Sequence, residues 1–254
     1  MLFPKSDIKE HIKNLGLTKT DTVMIHGDSG VAAQYIYEPF DDPLTIFIEE
    51  IISFFSEGTV IVPAFTYSAT KGEAFDQKLT PSKVGLFSEK FRLKKGVIRS
   101  NHPIFSISAI GNNAEQYVST LLNDCFGKET FFDKIFKQNA KIVTLGCALE
   151  RMTFIHYVEQ QLDVSYRFFK TFDAKIRDKN ITKNLKVNYF ARNLDLDTRL
   201  DLASLEKEAI YTNKLQKVTF GRYLGRTISA DDCFNVAAML IRNYEYALIK
   251  EGKI

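Results

Sequence analysis

The sequence predicts an α/β fold, a layered α/β/α sandwich with a mostly parallel central sheet and an antiparallel C-terminal elaboration. Three observations lead there. Short apolar runs that read as buried strands alternate with amphipathic segments of helical period over residues 6–162. The order strand, turn, helix, strand over 22–63 is that of a βαβ unit, which joins parallel neighbours by a right-handed crossover. After residue 165 the pattern changes to runs rich in Tyr, Phe and Val, as hairpins show.

Taken in order, residues 6–15 read as an amphipathic helix with Ile8, Ile12 and Leu15 on one side and Gly16 as its stop. Thr22–His26 is a short apolar strand that runs into the turn Gly27-Asp28-Ser29-Gly30. Asp42-Pro43 opens a helix to about Phe55, with a capping carboxylate and a proline at the first helical position. Gly58 ends it, and Thr59–Pro63 is the next strand. Thr80-Pro81-Ser82 repeats the cap-plus-proline signal and predicts a helix ending near Lys95-Gly96. Phe105–Ile110 and Ile142–Leu145 read as strands, with helices near 113–122 and 130–137 between them, and a helix follows over Thr153–Leu162. Arg167–Arg177 and Leu185–Arg192 flank the turn Asp178-Lys179-Asn180 as an antiparallel hairpin. A helix near 199–210, strands within 216–228 and a long helix over Ala230–Lys250 complete a single domain spanning 1–254, with a hairpin-rich extension at about 165–228. The last helix carries Phe234, Ala237, Ala238, Ile241, Tyr244 and Ile249 at helical spacing, so it should face the core.

Composition bounds the function classes. An apolar fraction of 45% over 254 residues is enough for a sizeable core. No apolar run reaches the roughly 18 to 20 residues of a membrane span, and Met1–Asp7 lacks the apolar stretch of a signal peptide, so a cytoplasmic protein is expected. Cys125, Cys147 and Cys233 are three in number and widely spaced, against both a disulfide framework and a structural zinc site. With 34 basic and 31 acidic residues the net charge is +3, too balanced for a nucleic-acid partner.

Three segments could carry chemistry. His26 ends a parallel strand, where ligands of open α/β sheets bind, or it is simply a packed strand-end residue. Gly96–Pro103 concentrates Arg99, Ser100, Asn101 and His102 before a strand. Arginine and backbone amides can cradle a phosphate, and a solvated loop is the plainer alternative. Thr153, His156 and Glu159 lie three apart on a helix, with Phe154, Ile155 and Val158 on its remaining faces. Glu159 could fix one ring nitrogen of His156 and leave the other as a base, or the stripe could face solvent. His11, on a polar stretch, reads as surface. A His-x-x-Glu pair can also ligate a metal, but no second pair accompanies it, so no metal is expected. The Gly-x-Ser-x-Gly, Gly-x-Gly-x-x-Gly and phosphate-loop signatures are missing.

Together these segments resemble the aminoglycoside 3-N-acetyltransferase family, the antibiotic N-acetyltransferases. The landmarks run in family order: His26-Gly27-Asp28-Ser29, Val62–Tyr67, Thr80–Gly85 with Glu89 and Arg92, Gly96–Pro103, Ser106, Ala109 and Gly111, Leu145-Gly146, and Thr153-x-x-His156-x-x-Glu159. The match covers most of residues 20–170 and loosens in the last third. Gly27 and Asp28 depart from the small hydroxyl residues usual at that turn.

The resemblance implies acetyl-CoA as co-substrate, His156 as general base, Glu159 as its orienting carboxylate and Thr153 as the hydroxyl beside the thioester. It also implies a coenzyme cleft built from His26, Gly27, Asp28, Ser29, Arg99, Ser100, His102 and Ser106. The acceptor would be a small-molecule amine on a sugar. Arg167, Lys170, Lys175, Arg177, Arg222 and Arg226 make segments 165–190 and 213–226 basic, which favours an anionic, nucleotide-linked amino sugar, as in surface polysaccharide assembly. The alternatives are an aminoglycoside acceptor and a non-catalytic module that binds coenzyme A. Tyr166, Phe168, Phe169, Phe172, Tyr189 and Phe190 could line an acceptor pocket or a homodimer contact, with core packing accounting for about half of them by strand alternation.

Overall fold

The computed structural model describes residues 2–120, 122–179 and 181–250. The chain begins with β1 (Phe3–Pro4), α1 (Asp7–Asn14), β2 (Thr22–Gly27), β3 (Tyr35–Ile36), α2 (Pro43–Phe54) and β4 (Thr59–Pro63). It continues through β5 (Ala74–Asp76), α3 (Leu86–Arg92), β6 (Ile98–Arg99), β7 (Ile107–Gly111), α4 (Ala114–Val118), α5 (Phe131–Lys137) and β8 (Lys141–Leu145). The remainder is α6 (Ile155–Gln161), β9 (Arg167–Asp178), β10 (Ile181–Arg192), α7 (Ala203–Tyr211), β11 (Leu215–Phe220), β12 (Tyr223–Ser229) and α8 (Ala230–Asn243). No described helix is long and apolar enough to cross a membrane.

The expected βαβ unit forms. Asp42 accepts from the Leu44 amide at 3.2 Å and Pro43 sits at the first turn, so α2 starts where the cap signal places it. Leu44, Phe47, Ile48 and Ile51 are buried at helical spacing, each contributing about 1.5–3 kcal/mol of burial. The crossover lays β4 parallel to β2, Val23 opposite Val60 and Met24 opposite Ile61.

The sheet around that pair is mixed, not mostly parallel. Its order is β11-β12-β8-β2-β4-β7-β6. Only β8–β2 and β2–β4 are parallel, and the other four pairings run antiparallel. The cause at one edge is the connection Gly221-Arg222 between β11 and β12, which is too short for a crossover and reverses the chain at φ 64° for Gly221. The strands β11 and β12 therefore extend the main sheet rather than the hairpin region. Of the strands after residue 165, β9 and β10 stand apart, joined by β5 in a sheet of order β10-β9-β5, while β1 and β3 pair by themselves. Alternate strand residues enter two separate apolar clusters. Val23, Ile25, Val60, Val62 and Val143 join residues of α1, α2 and α3. Met24, Ile61, Ala109 and Ile142 join residues of α4, α5, α6 and α8.

Other expectations change locally. Thr80-Pro81-Ser82 does not open a helix, because Thr80 Oγ1 takes the Asp76 amide at 2.8 Å and Ser82 Oγ takes the Val84 amide at 3.3 Å. Such local side-chain bonds compete with helix formation, and α3 begins only after Gly85, at φ 111°. His11 is not a surface residue. It packs 5.3 Å from the Phe3 and Phe220 rings, and its Nδ1 lies 2.8 Å from Tyr35 Oη. The last helix stops at Asn243, and Leu248 and Ile249 are buried beyond it through a bridge from Ile249 to Leu200. The turn residue Asn180 lies outside the described residues.

Candidate active site

The parallel strands β2, β4 and β8 end on one edge of the sheet, the edge at which open α/β sheets hold ligands. At the end of β8 the chain turns at Gly146, with φ 68°, where a β-carbon would lie 2.3 Å from Val31 Cγ2. Only glycine meets both conditions. The turn leads through Cys147 and the 3₁₀ segment Leu149–Arg151 into α6.

Helix α6 carries His156 one turn before Glu159. Glu159 is fully buried, and its carboxylate is surrounded by donors. His156 Nδ1 and Arg167 Nε each lie 2.6 Å from Oε2, the arginine as an ion pair rather than an aligned hydrogen bond, and Tyr166 Oη donates to Oε1 at 3.1 Å. Burial alone would raise the Glu159 pKa, but Arg167, His156 and Tyr166 outweigh it and hold the acid below its ordinary range. A bare Nδ1 lone pair facing that carboxylate would be repelled, so Nδ1 carries the proton and donates it to Glu159. Arg167 Nη2, which can only donate, also lies 2.8 Å from Nδ1, so guanidinium and carboxylate call for opposite roles there, and the shorter contact, to the carboxylate, gives Nδ1 the proton. Nε2 then keeps the lone pair. Of the three ionisable side chains only His156 reaches the surface, at 19% exposure against 2% for Arg167 and none for Glu159. The His156 pKa is lowered, first by burial and then by Arg167, with Glu159 opposing. The imidazole is therefore neutral near pH 7 and able to accept a proton.

Aromatic side chains pack beside His156. The Phe126 ring lies 5.7 Å from His156, Tyr189 lies 6.0 Å from Phe126, and Phe105 bridges to Tyr67 at 5.6 Å. Tyr67 adopts φ 57°, an uncommon conformation for an aromatic residue and one that concentrates at ligand sites. Burial, with Tyr189 adding to it, raises the Tyr67 phenol to about 12, so it stays a neutral hydroxyl.

The candidate coenzyme residues divide into two groups. His26 lies next to the end of β2, buried, with Nε2 unpartnered among the described residues. Burial, then Arg151, lowers its pKa to about 4. Its carbonyl accepts the Cys147 thiol at 3.3 Å. At Gly27 a β-carbon would press to 3.0 Å against the Phe87 ring, so packing explains the glycine. Asp28 is a cap: its carboxylate takes the Gly30 amide at 2.7 Å and starts the 3₁₀ segment Ser29–Gln34.

The second group is turned inward. Arg99 donates to Ser106 Oγ and to the carbonyls of Gln77, Thr80 and Ala64, over the Phe75 ring. Ser106 donates to Ala64 O at 2.6 Å, and Ser100 Oγ accepts the Ile107 amide at 2.9 Å. His102 Nδ1 accepts the Ile104 and Phe105 amides, and Nε2 faces Asp124 O at 3.2 Å. Arg99, Ser100, His102 and Ser106 are thus a structural tie holding the 99–106 loop, with their polar groups engaged inside the protein. Thr153 precedes α6 rather than lying within it, and its hydroxyl donates to Arg151 O at 3.4 Å.

The sequence reading places Arg167 only in a basic surround, whereas it is the inner ion of the site. A signal existed: Glu159 is flanked on its helix by Ile155 and Val158, and a carboxylate on an apolar face requires a cation. Among the described residues no three His, Cys, Asp or Glu side chains gather as a metal centre would need.

Comparison with known proteins follows the same lines. A family model described as aminoglycoside 3-N-acetyltransferase matches residues 45–242. Aminoglycoside N(3)-acetyltransferase IX of Micromonospora chalcea is 24% identical over 192 residues, covering 68% of this chain and 67% of that protein. The solved structure of AAC-IIIb in binary complex with CoASH superposes with a TM-score of 0.81 at 17% identity, over 96% of this chain and 97% of that one. A mutant of AAC(3)-IVa in complex with gentamicin gives 0.79 at 18% identity, over 100% and 93%.

Proposed function

The chain belongs to the aminoglycoside 3-N-acetyltransferase family, and on that premise we propose that His156 is the general base that activates the acceptor amine, on an aminoglycoside-type amino sugar. Membership makes the chain an N-acetyltransferase with acetyl-CoA as donor. One observation carries the residue assignment: an imidazole held at Nδ1 by a buried carboxylate, on a side chain that keeps 19% exposure.

Acetyl-CoA supplies an acyl carbon activated by its thiol leaving group. A sugar amine is largely protonated near pH 7 and cannot attack that carbon until it loses a proton. His156 Nε2 takes the proton, and Glu159 stabilises the imidazolium through Nδ1–H. Arg167 and Tyr166 keep Glu159 ionised and fixed, so the ring does not reorient as its charge changes. The unpartnered His26 Nε2 next to the end of β2 suits an amide-bearing arm such as pantetheine. For the acceptor, the named relatives are aminoglycoside acetyltransferases, and one is bound to gentamicin. This supports an aminoglycoside-type ring over the nucleotide-linked sugar that the basic hairpin favours.

The test is a thiol-release assay with acetyl-CoA and amino-sugar acceptors across pH. The reactive base is the unprotonated imidazole, and its pKa is lowered, so it stays unprotonated below the ordinary histidine value. The acidic limb of kcat/KM is therefore expected below the ordinary histidine pKa of about 6.5. A limb well above that value, or none attributable to His156, would count against the assignment.

A further inference from the structure

His102 joins two segments that meet beside the base, and the proton transfer described above makes no use of it. Its ring is buried. Nδ1 accepts the Ile104 amide at 3.2 Å and the Phe105 amide at 3.0 Å, so this nitrogen carries the lone pair. Nε2 therefore bears the proton and donates it to Asp124 O at 3.2 Å. Asp124 is bridged to Asn188 of β10, and the groups on either side of it face that strand. Asn123 O accepts the Asn188 amide at 2.9 Å, and the Cys125 amide donates to Asn188 O at 3.0 Å. In such a ladder the carbonyl of the bridged residue itself points away from the strand, and here it meets the imidazole. The turn that follows is folded by Asp124 Oδ1, which takes the Phe126 and Gly127 amides at 2.9 and 2.7 Å. Gln161 of α6 donates to Phe126 O at 3.1 Å. Phe126 is thereby set, fully buried, between the Phe105 ring at 4.9 Å and the His156 ring at 5.7 Å.

We propose that His102 is a positioning residue for acetyl transfer: its ring clasps the 104–105 segment to the turn at 123–127 and so holds Phe126 against the His156 imidazole. This rests on the reading of His156 as the base. One imidazole holds both supports of Phe126, the Phe105 segment through its amide and the turn through Asp124 O. Glu159 restrains the His156 ring at a single nitrogen, which leaves it free to swing about that contact. The Phe126 ring, at 66° to it, blocks the swing and keeps water from that side. The charged and titratable groups around the base are Glu159 on its own helix, Tyr166 and Arg167 at the start of β9, and Arg192 on β10. None of them is touched by a change at 102 or 126. What such a change alters is burial, the first cause of the lowered His156 pKa, so water admitted beside the ring would raise it. The clasp itself persists through the neutral range, because burial lowers the His102 pKa to about 4.

The experiment combines NMR titration of the His156 ring with acetyl-transfer kinetics on the full chain. His102→Asn puts Oδ1 where Nδ1 stands, which keeps the acceptor for both amides, but it is too short to reach Asp124. His102→Gln reaches Asp124 with Nε2 and gives up that acceptor. In His102→Asn the His156 pKa should rise towards the ordinary value of about 6.5. There kcat should fall about tenfold or more, with the KM for acetyl-CoA unchanged, as for a misplaced catalytic group. His102→Gln should stay close to the native protein in both readouts. Phe126→Leu should reproduce the effect of His102→Asn, and the double variant should lose little more than either alone, because the two act through one contact. An unmoved His156 titration in His102→Asn, a moved titration with kcat intact, equal losses in His102→Asn and His102→Gln, or additive losses in the double variant would overturn the proposal. If urea unfolding shows that His102→Asn does not fold, the other two variants decide. His102→Gln must then titrate like the native protein and Phe126→Leu must not. Because the titration is read without turnover, normal activity of His156→Ala would sink the base assignment and still leave the clasp measurable.

Discussion

Alanine at His156 is expected to lower turnover by about 10² to 10⁴-fold, the usual size of a lost acid–base catalyst. The loss should appear in kcat, with little change in the KM for acetyl-CoA, because the imidazole acts on the amine during reaction rather than on the coenzyme at rest. The fold should tolerate the change. Removing the ring leaves the Glu159–Arg167 ion pair and the Tyr166 hydrogen bond in place, and His156 is the one member of the network with surface exposure. A thiol-release assay beside a urea unfolding curve separates the two readouts. Normal turnover in the variant would contradict the assignment, and collapse of the fold would mean that the ring holds the structure together.

For Glu159→Ala both readouts are expected to fall. That change removes the carboxylate from beside Arg167, whose side chain is 2% exposed and has no other acid in contact among the described residues. A buried charge that loses its partner typically costs about 3–5 kcal/mol, a large share of a domain's total stability. The urea midpoint should fall steeply, and turnover should fall with it, since Nδ1 loses its acceptor and the ring its orientation. Glu159→Gln keeps the shape and one acceptor oxygen, so it should retain more stability while still losing activity. If Glu159→Ala left the unfolding midpoint unchanged, the ion pair would not be the anchor described above.

Much of this arrangement was legible in the sequence, for identifiable reasons. Cap, proline, apolar periodicity and stop glycine agree over residues 42–58, and α2 with its flanking parallel strands forms accordingly. The spacing His156-x-x-Glu159 allowed the contact found at 2.6 Å, because positions three apart share a helix face, although a solvent-facing stripe fitted the same spacing. Three things were not legible. The direction of β7 and β12 in the sheet depends on pairing that apolar runs do not encode, so a mixed sheet read as a mostly parallel one. The loop at 99–106 combines Arg, Ser and His in a pattern that fits a phosphate cradle and an internal tie equally well, and the sequence does not show that Arg99 donates to the carbonyls of Ala64, Gln77 and Thr80. Arg167 opens a strand eight residues after Glu159, and their meeting depends on the turn after α6.

The central claim is a proton transfer at one nitrogen, and a crystal structure with coenzyme A and an amino-sugar acceptor examines it most directly. The predicted result places the acceptor amine within hydrogen-bond reach of His156 Nε2, about 2.6–3.2 Å, with the coenzyme sulfur on the same side of the ring. An acceptor amine bound on another face of the cleft, with Nε2 turned away from the sulfur, would contradict it.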